Sequence, residues 1–595
     1  MPEPDRRAVI FAIDGLKASV FRQYALEGVG SAPPDSFLRR LARTPALGGF
    51  ASISVEQART VFPSFTFPAW AACFTGNFPN RNGIVGNGAF YRDLNVDRQY
   101  DEFFEGGEAL TIYGWDWNLS RFPELACQIA VDLLPPNPDL FRVVIDGFDD
   151  ARVWILNPAC WALHPGFFKP VWPHRESFIN FYASGGVQND DVQSQTLYDY
   201  AHEHGFSSYV IHQFYNRSLN QAASWDEVYD GNLENIDDSW GRATYQDVRD
   251  MKLADPDDSR LFDRRAFAKA RAFLQSSGLP SVFTLYAASI DLDSHAFADH
   301  GFSGVDAAQF AGLRFLDGEI TSFVAELEQQ HPEIYEKTLF FLISDHGHTE
   351  NDPTRKIDLG SLRFPGESTP GELFRIKANG YMAHLYLRAG EWTDIPTTPQ
   401  IDAFMTETLP FATFHAGSRI LVDHVALFVT RDRRVFRNWN GTSWEVFPLS
   451  ELDDREYGFV DGRRRIGRLL HNFRAGDVIM VRGRSDLPGR NVGFSGSQST
   501  HGSLFAEDSL IPFYVWGEPL NVARSEKGSV RLKAADIVDL TATVMSYLSI
   551  YRPHEGQIDG KPLFDEDLNI NLEDFEILEE SRLGALEVLF GRRVG

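Results

Sequence analysis

Thr338-Leu-Phe-Phe-Leu-Ile-Ser-Asp-His-Gly-His348 is the stretch from which the architecture of this chain can be read. Its apolar half lacks the polar alternation of a half-exposed strand, so it reads as a strand buried on both faces, the kind found in parallel sheets covered by helices. The run breaks off in a carboxylate and imidazoles, which places Asp345 and His346 at a strand tip. Ala8-Val-Ile-Phe-Ala-Ile-Asp14, Ser208-Tyr-Val-Ile-His212, Val282-Phe-Thr-Leu-Tyr286 and Ile511-Pro-Phe-Tyr-Val-Trp516 have the same character. Helical patterns lie between them at 35–43, 192–204, 264–275, 305–330 and 534–548. Strand alternating with helix predicts the α/β class, with a central, mostly parallel sheet flanked by helices. In such sheets ligands gather beyond the carboxyl ends of the strands, where Asp14, Asp291 and Asp345 fall.

Two stretches break this rhythm. Residues 94–190 are rich in aromatics and prolines, and 352–474 carries hairpin-like text, Val425-Ala-Leu-Phe-Val-Thr430 followed by 434–447 with Asn440-Gly441 as the turn. Both are expected to be insertions into one core made of 1–93, 191–351 and 475–595, the last ending in an acidic tail. Across 595 residues, 56 Lys and Arg stand against 83 Asp and Glu, a net charge of −27, with 43% hydrophobic residues. That composition excludes disorder throughout and argues against a stable nucleic-acid partner, whose footprint is basic. Three cysteines, Cys73, Cys127 and Cys160, make no disulfide framework and suit a reducing compartment. No run approaches the roughly 20 apolar residues of a membrane span, and the N-terminus lacks a signal-like apolar region. The expectation is a cytoplasmic protein with no membrane partner; oligomeric state is not legible.

Asp345-His346-Gly347 alone fits a polar turn. Ser289-Ile-Asp291-Leu-Asp293-Ser-His295 adds to it, because Asp291 and His295 can converge on one ion if the segment makes a helical turn. Asp14-Gly15 supplies a third carboxylate at a strand end, and Ser499-Thr-His501-Gly502 a further imidazole before another strand. Carboxylates mixed with imidazoles suit zinc or a similar borderline metal, whereas neither a thiolate set nor an all-oxygen calcium cage is present. Phe62-Pro-Ser-Phe-Thr66-Phe-Pro68 offers a hydroxyl: Pro68 suits the first turn of a helix, so Thr66 lies near an N-terminus that favours an anion. Position alone fits an N-cap, but a metal-bound hydroxyl becomes a nucleophile at neutral pH.

Together these motifs resemble the alkaline phosphatase superfamily, and within it the type I phosphodiesterase/nucleotide pyrophosphatase family. Asp14-Gly15, Thr66-Phe-Pro68, Thr75-Gly76, Pro79, Gly83-Ile84, Asp291 to His295, Ser344-Asp-His-Gly347 and His501-Gly502 stand in family order. The resemblance implies an alkaline-phosphatase-like sandwich, and a hydrolase of small phosphate esters or nucleotides that works through a phosphothreonine. It implies two divalent ions, zinc first, with manganese or iron as alternatives. One would sit on Asp291, His295 and His501, the other on Asp14, Asp345 and His346 with Thr66 as its exchangeable ligand. Asn87 matches the asparagine that binds a phosphoryl oxygen, aided by the Thr66 or Phe67 N–H. His348, Asp293 and His300 receive no role beyond support or surface.

The sequence also departs from the family. Thr66 is followed by Phe-Pro-Ala-Trp70 where nucleotide pyrophosphatases usually show Phe-Pro-Asn-His, which leaves nucleotide preference open. The sulfatase Cys-x-Pro-x-Arg signature is missing, which argues against a formylglycine sulfatase, and the Lys-x-Arg pair of some monoesterases is missing, which leans towards diesters. A phosphomonoesterase or phosphonate hydrolase on the same scaffold is the alternative, and an inactive partner-binding relative is the alternative of another class. The tryptophans between Trp115 and Trp240 read as core or as a surface that stacks on a base or aryl group.

Overall fold

The computed structural model describes residues 6–29, 36–42, 51–99, 191–211, 215, 260–352, 357, 359, 362–367, 371–414, 425–484, 493–494, 497–523, 529–550 and 557–580. Among them a nine-stranded sheet runs in the order Ile577–Glu580, Val530–Asp536, Ser52–Arg59, Phe513–Trp516, Thr338–Ser344, Arg7–Ile13, Val282–Ala287, Ser208–Ile211, with Leu510–Ile511 also paired to Ser52–Arg59. Six of these point the same way, so the sheet is mostly parallel. Arg7–Ile13 lies between two parallel neighbours with Ile13 opposite both Ala287 and Ser344. That register alone brings Asp14, the segment after Ala287 and Asp345 to one end of the sheet.

Each face of Arg7–Ile13 is buried in a different core, which is why its apolar run is unbroken. Ala8, Ile10 and Ala12 meet the layer containing Trp70 and Phe74 of helix Thr66–Thr75 and Val544 and Met545 of helix Asp539–Tyr547. Val9, Phe11 and Ile13 meet helices Arg260–Ser277 and Val305–Gln330, with the Phe11 ring 6.3 Å from Phe340 and 6.1 Å from Trp516.

Three expectations change. Phe513–Trp516 is antiparallel to both neighbours, since an apolar run reports burial on two faces and not strand direction. Ala534–Asp536 belongs to a strand, not to the following helix; the Asp539 carboxylate accepts the Asp536 N–H at 2.7 Å and marks the helix start. Ser52–Arg59 adds a strand to those expected: only Ile53, Val55 and Ala58 are apolar among polar residues, so it lacks the continuous apolar run that marks the others.

A second, six-stranded antiparallel sheet runs in the order Phe374–Asn379, Met382–Leu387, Val478–Val481, Leu427–Thr430, Arg434–Arg437, Glu445–Pro448. Its inner strand Val478–Val481 lies past the expected boundary at 474. The Asn440 side chain closes the turn as read, accepting from the Thr442 and Ser443 N–H groups at 3.0 and 2.9 Å. Most of the aromatic insertion, the tryptophans from Trp115 to Trp240, Cys127 and Cys160 lie outside the described residues; Cys73 is buried. No helix among the described residues is long and apolar enough to cross a membrane.

Candidate active site

The site is built from strand tips. Asp14 and Asp345 leave adjacent parallel strands, and each has one carboxylate oxygen held by protein. Asp345 Oδ1 accepts the Gly15 N–H at 3.1 Å and the His346 N–H at 2.9 Å, while Asp14 Oδ2 accepts from the Tyr286 hydroxyl. The other oxygens, Asp14 Oδ1 and Asp345 Oδ2, are buried without a hydrogen-bond partner, and each lies 3.3 Å from His346 Nε2. Gly15, at φ +73°, is required here, since a Cβ would stand 2.9 Å from the Asp291 backbone and side chain.

Histidine tautomers complete the picture. His346 Nδ1 is 3.0 Å from the Gly347 carbonyl, His295 Nδ1 is 3.0 Å from that of Ser499, and His501 Nδ1 is 3.1 Å from that of Ser64. A carbonyl only accepts, so each Nδ1 carries a proton and each Nε2 is the nitrogen turned to the site, where the neutral ring presents a lone pair. The His295 and His501 Nε2 atoms stand 3.2 Å apart. Asp291 sits among them, its Oδ2 3.5 Å from His295 Nε2 and its Oδ1 3.8 Å from His501 Nε2.

His348, left without a role by the motifs, enters the same cluster. Thr349–Glu350 pairs antiparallel with Ser499–Thr500, which sets His348 beside His501. Its Nε2 is 2.7 Å from Asp291 Oδ1, and its Nδ1 is 3.0 Å from Ser499 Oγ, whose own proton goes to the Ser294 carbonyl at 2.6 Å. Two groups could hold an ion: Asp14, Asp345 and His346, and Asp291, His346, His348 and His501. His295 stands at the margin of the second, its Nε2 near Asp291 and His501 and its ring edge-on to His348.

These are acceptors with no donor facing them: bare carboxylate oxygens and convergent lone pairs, a set that fits divalent cations. Burial, then the charges of Asp345 and Asp291, raises the Asp14 carboxyl well above its usual range. Burial, with Asp291 adding to it, pushes Asp345 up to about 8. Burial also lowers His346 to about 3 and holds His348 and His501 well below the ordinary imidazole range.

Thr66 is the first residue of helix Thr66–Thr75, Phe65 is the N-cap, and no side chain caps the end. The N-cap reading of Thr66 therefore fails: its hydroxyl lies instead 3.2 Å from His346 Nε2. Asn87 Oδ1 accepts the Phe67 N–H at 3.2 Å, so the amide NH2 is turned away from the helix and the Phe67 N–H is already committed. Asp293 bonds His300 Nδ1 at 2.9 Å, apart from the cluster.

Two residues that no motif marked hold the frame. Asp263 accepts the Ala288 and Ser289 N–H groups at 2.8 and 3.2 Å and caps helix Ser289–His295. Asp508 accepts the Thr349 hydroxyl at 2.6 Å and the Ser503 N–H at 3.0 Å, tying the His348 segment to the His501 segment. Burial raises both carboxyls to about 7. A lone Asp in helix Arg260–Ser277 gives no sequence signal of such a contact.

The profile of the type I phosphodiesterase/nucleotide pyrophosphatase family matches residues 8–121 and 162–410, more than half of the chain. The chain belongs to this family. It is a hydrolase acting on phosphoric ester bonds, in a metal-dependent family whose substrates are nucleotides and phosphate esters. The matched residues include Asp14, Thr66, Asn87, Asp291, His295, Asp345 and His346 and stop short of His501, which the fold carries into the site. The chain is similar to solved structures of ectonucleotide pyrophosphatase/phosphodiesterase 5. An inactive substituted variant of the murine protein, in complex with AMP, shows 12% identity and a TM-score of 0.47, with 93% of this chain and 97% of that one covered. The human protein shows 12% identity and a TM-score of 0.47, with 95% and 100% covered. No curated protein matches the chain in sequence.

A family metal must displace protons here. With Asp345 at about 8 and Asp14 also raised, the metal-free site holds carboxyl protons at pH 7, whereas the lowered histidines are neutral and have no second proton to release. Calorimetric titration of stripped protein with zinc, in buffers of different ionisation enthalpy, should show proton release at pH 7. Affinity should rise from pH 6 to 8 and flatten above; release of no proton would contradict the raised carboxyls. His348→Ala should weaken zinc binding about 10- to 100-fold in chelator competition. Unchanged affinity would make His348 a packing residue.

Proposed function

We propose that this chain is a phosphodiesterase that transfers the phosphoryl group to Thr66 at a two-metal site. The observation that carries the reading is the Thr66 hydroxyl, buried at 8% exposure, beside the lone pair of His346 and unoccupied by any capping bond. Asp14, Asp345 and His346 would hold one ion, and Asp291 and His501, with His295 or His348, the other; a donor set of nitrogen and oxygen suits zinc, with manganese or iron as alternatives. Bound there, the ions supply Lewis-acid stabilisation of phosphoryl charge and acidify the hydroxyl.

The residues of the chain do the rest. Thr66 Oγ1 bonds to phosphorus as the bond to the departing ester oxygen breaks, and the hydroxyl proton ends on the released alcohol. Water then cleaves the phosphothreonine, restoring the Thr66 hydroxyl and leaving the second proton with the product. The Asn87 amide, its oxygen tied down by the Phe67 N–H, offers its NH2 group to a phosphoryl oxygen.

The cleft in front of Thr66 favours a diester. Phe65, Phe67, Tyr286, Ala288 and Leu292 give it an apolar wall, and among the described residues no Lys or Arg lines it. Arg81, the cation between Thr66 and Asn87, faces Asp559 Oδ1 at 3.1 Å and the Gln557 carbonyl at 2.8 Å. A monoester dianion brings one more charge than this cleft can pair.

Thr66→Ala should lose about 10⁴- to 10⁶-fold in turnover while elemental analysis still finds two metal equivalents, and Thr66→Ser should keep much of the activity. An alanine variant close to wild type would return Thr66 to a structural role. In side-by-side kinetics, bis-p-nitrophenyl phosphate should exceed p-nitrophenyl phosphate in kcat/KM by about ten-fold or more, roughly 1.4 kcal/mol of differential transition-state binding. Preference for the monoester, or for phosphonoacetate, would favour the rival reactions and direct attention to Lys169 and Arg175, which lie outside the described residues.

A further inference from the structure

The second sheet reaches the active site through one turn. Gly380-Tyr381 joins strands Phe374–Asn379 and Met382–Leu387. Asn379, 2% exposed, ends the first of these and directs its carboxamide at the backbone of Gly88. Its Oδ1 accepts the Gly88 N–H at 2.9 Å, and its Nδ2 donates to the Gly88 carbonyl at 2.9 Å. A side chain here makes the paired bonds of a strand bridge. The Gly88 N–H belongs to the same rigid peptide plane as the Asn87 carbonyl, so holding it fixes the backbone angle that aims Asn87.

The neighbours are shaped around this contact. A Cβ on Gly86 would stand 2.9 Å from Asn379 Oδ1. On the other side Gly380, at φ +50°, backs onto the His501 carbonyl and the Phe65 ring, where a Cβ would collide, and its own carbonyl accepts the Phe494 N–H at 2.7 Å. One turn of the insertion is thus wedged between the Asn87 segment and the His501 segment.

We infer that Asn379 is a positioning residue for phosphoryl binding, acting through Asn87. The inference rests on the reading of Asn87 as the donor to a phosphoryl oxygen. Asn87 is held twice: at its side chain by the Phe67 N–H, and at its following peptide by Asn379. Freeing the second hold lets the amide swing while the metal-ligating side chains stay in place.

A double-mutant cycle on the full, metal-loaded chain tests it. Asn87→Ala should lose about 10²- to 10³-fold in diester kcat/KM, the scale of one oxyanion donor. Asn379→Ala should lose about ten-fold and weaken competitive inhibition by inorganic phosphate by a similar factor, with metal content unchanged. In the Asn87→Ala background the same change should cost less than about two-fold, because the group it positions is gone. An equal loss in both backgrounds, or no loss in the single variant, overturns the inference. An Asn87→Ala protein as active as the parent overturns the role of Asn87 itself, and this inference with it. Should Asn379→Ala fail to fold, Asn379→Asp keeps the size and the acceptor for the Gly88 N–H but opposes the Gly88 carbonyl with a second oxygen. It must show the same non-additivity, and equal losses in both backgrounds would again refute the proposal.

Discussion

Three imidazoles that give their Nδ1 protons to main-chain carbonyls are the constraint on which the rest of this structure depends. Because the carbonyls of Gly347, Ser499 and Ser64 accept from those Nδ1–H groups, His346, His295 and His501 all turn Nε2 to the interior, and His346 and His501, held neutral by burial, present lone pairs there. They do so against the bare oxygens of Asp14 and Asp345 and beside Asp291. The Nε2 atoms of His295 and His501, 3.2 Å apart, repel each other wherever both are proton-free. The fold holds them there against their own electrostatics, and a cation is what reconciles the arrangement.

Holding such an array needs rigid supports, and each comes from a different part of the chain. The parallel sheet fixes where Asp14 and Asp345 leave their strands. Asp263 caps the short helix that carries Asp291 and His295, and Asp508 ties the segments of His348 and His501 together. The Tyr286 hydroxyl occupies one oxygen of Asp14 and leaves the other for the site. Each support is itself buried and hydrogen-bonded, so its charge or dipole is not screened by water.

The same geometry separates two tasks. Charge is handled on the side of the strand tips, where carboxylates and imidazoles are crowded. Phe65, Phe67 and Leu292 line the same cleft as apolar surface, and no cation lines it among the described residues. The second sheet, far from a detachable insertion, supplies the turn that rests against both Asn87 and His501. Its inner strand, Val478–Val481, follows the residues that the sequence would assign to it, because antiparallel pairing recruits any apolar strand of matching register whatever its place in the chain.

How much of this was legible follows from the range of each interaction. Asp14, Asp345 and His346 could be placed from sequence because an uninterrupted apolar run determines a doubly buried strand, and the polar residue that ends it must lie at the sheet edge. Asp291 and His295 follow from the period of a helix, and Thr66 from the proline two residues on. Strand direction at Phe513–Trp516 was not legible, since both directions bury the same side chains. Nor was the place of His348, Asp263 or Asn379: each acts through a hydrogen bond to a partner dozens to hundreds of residues away, and no local pattern encodes that distance. The sequence by itself determined which chemical groups stand at the strand ends. Tertiary structure alone decided which of them meet and which nitrogen of each histidine faces the site, because both are set by long-range register and by carbonyls that every residue possesses.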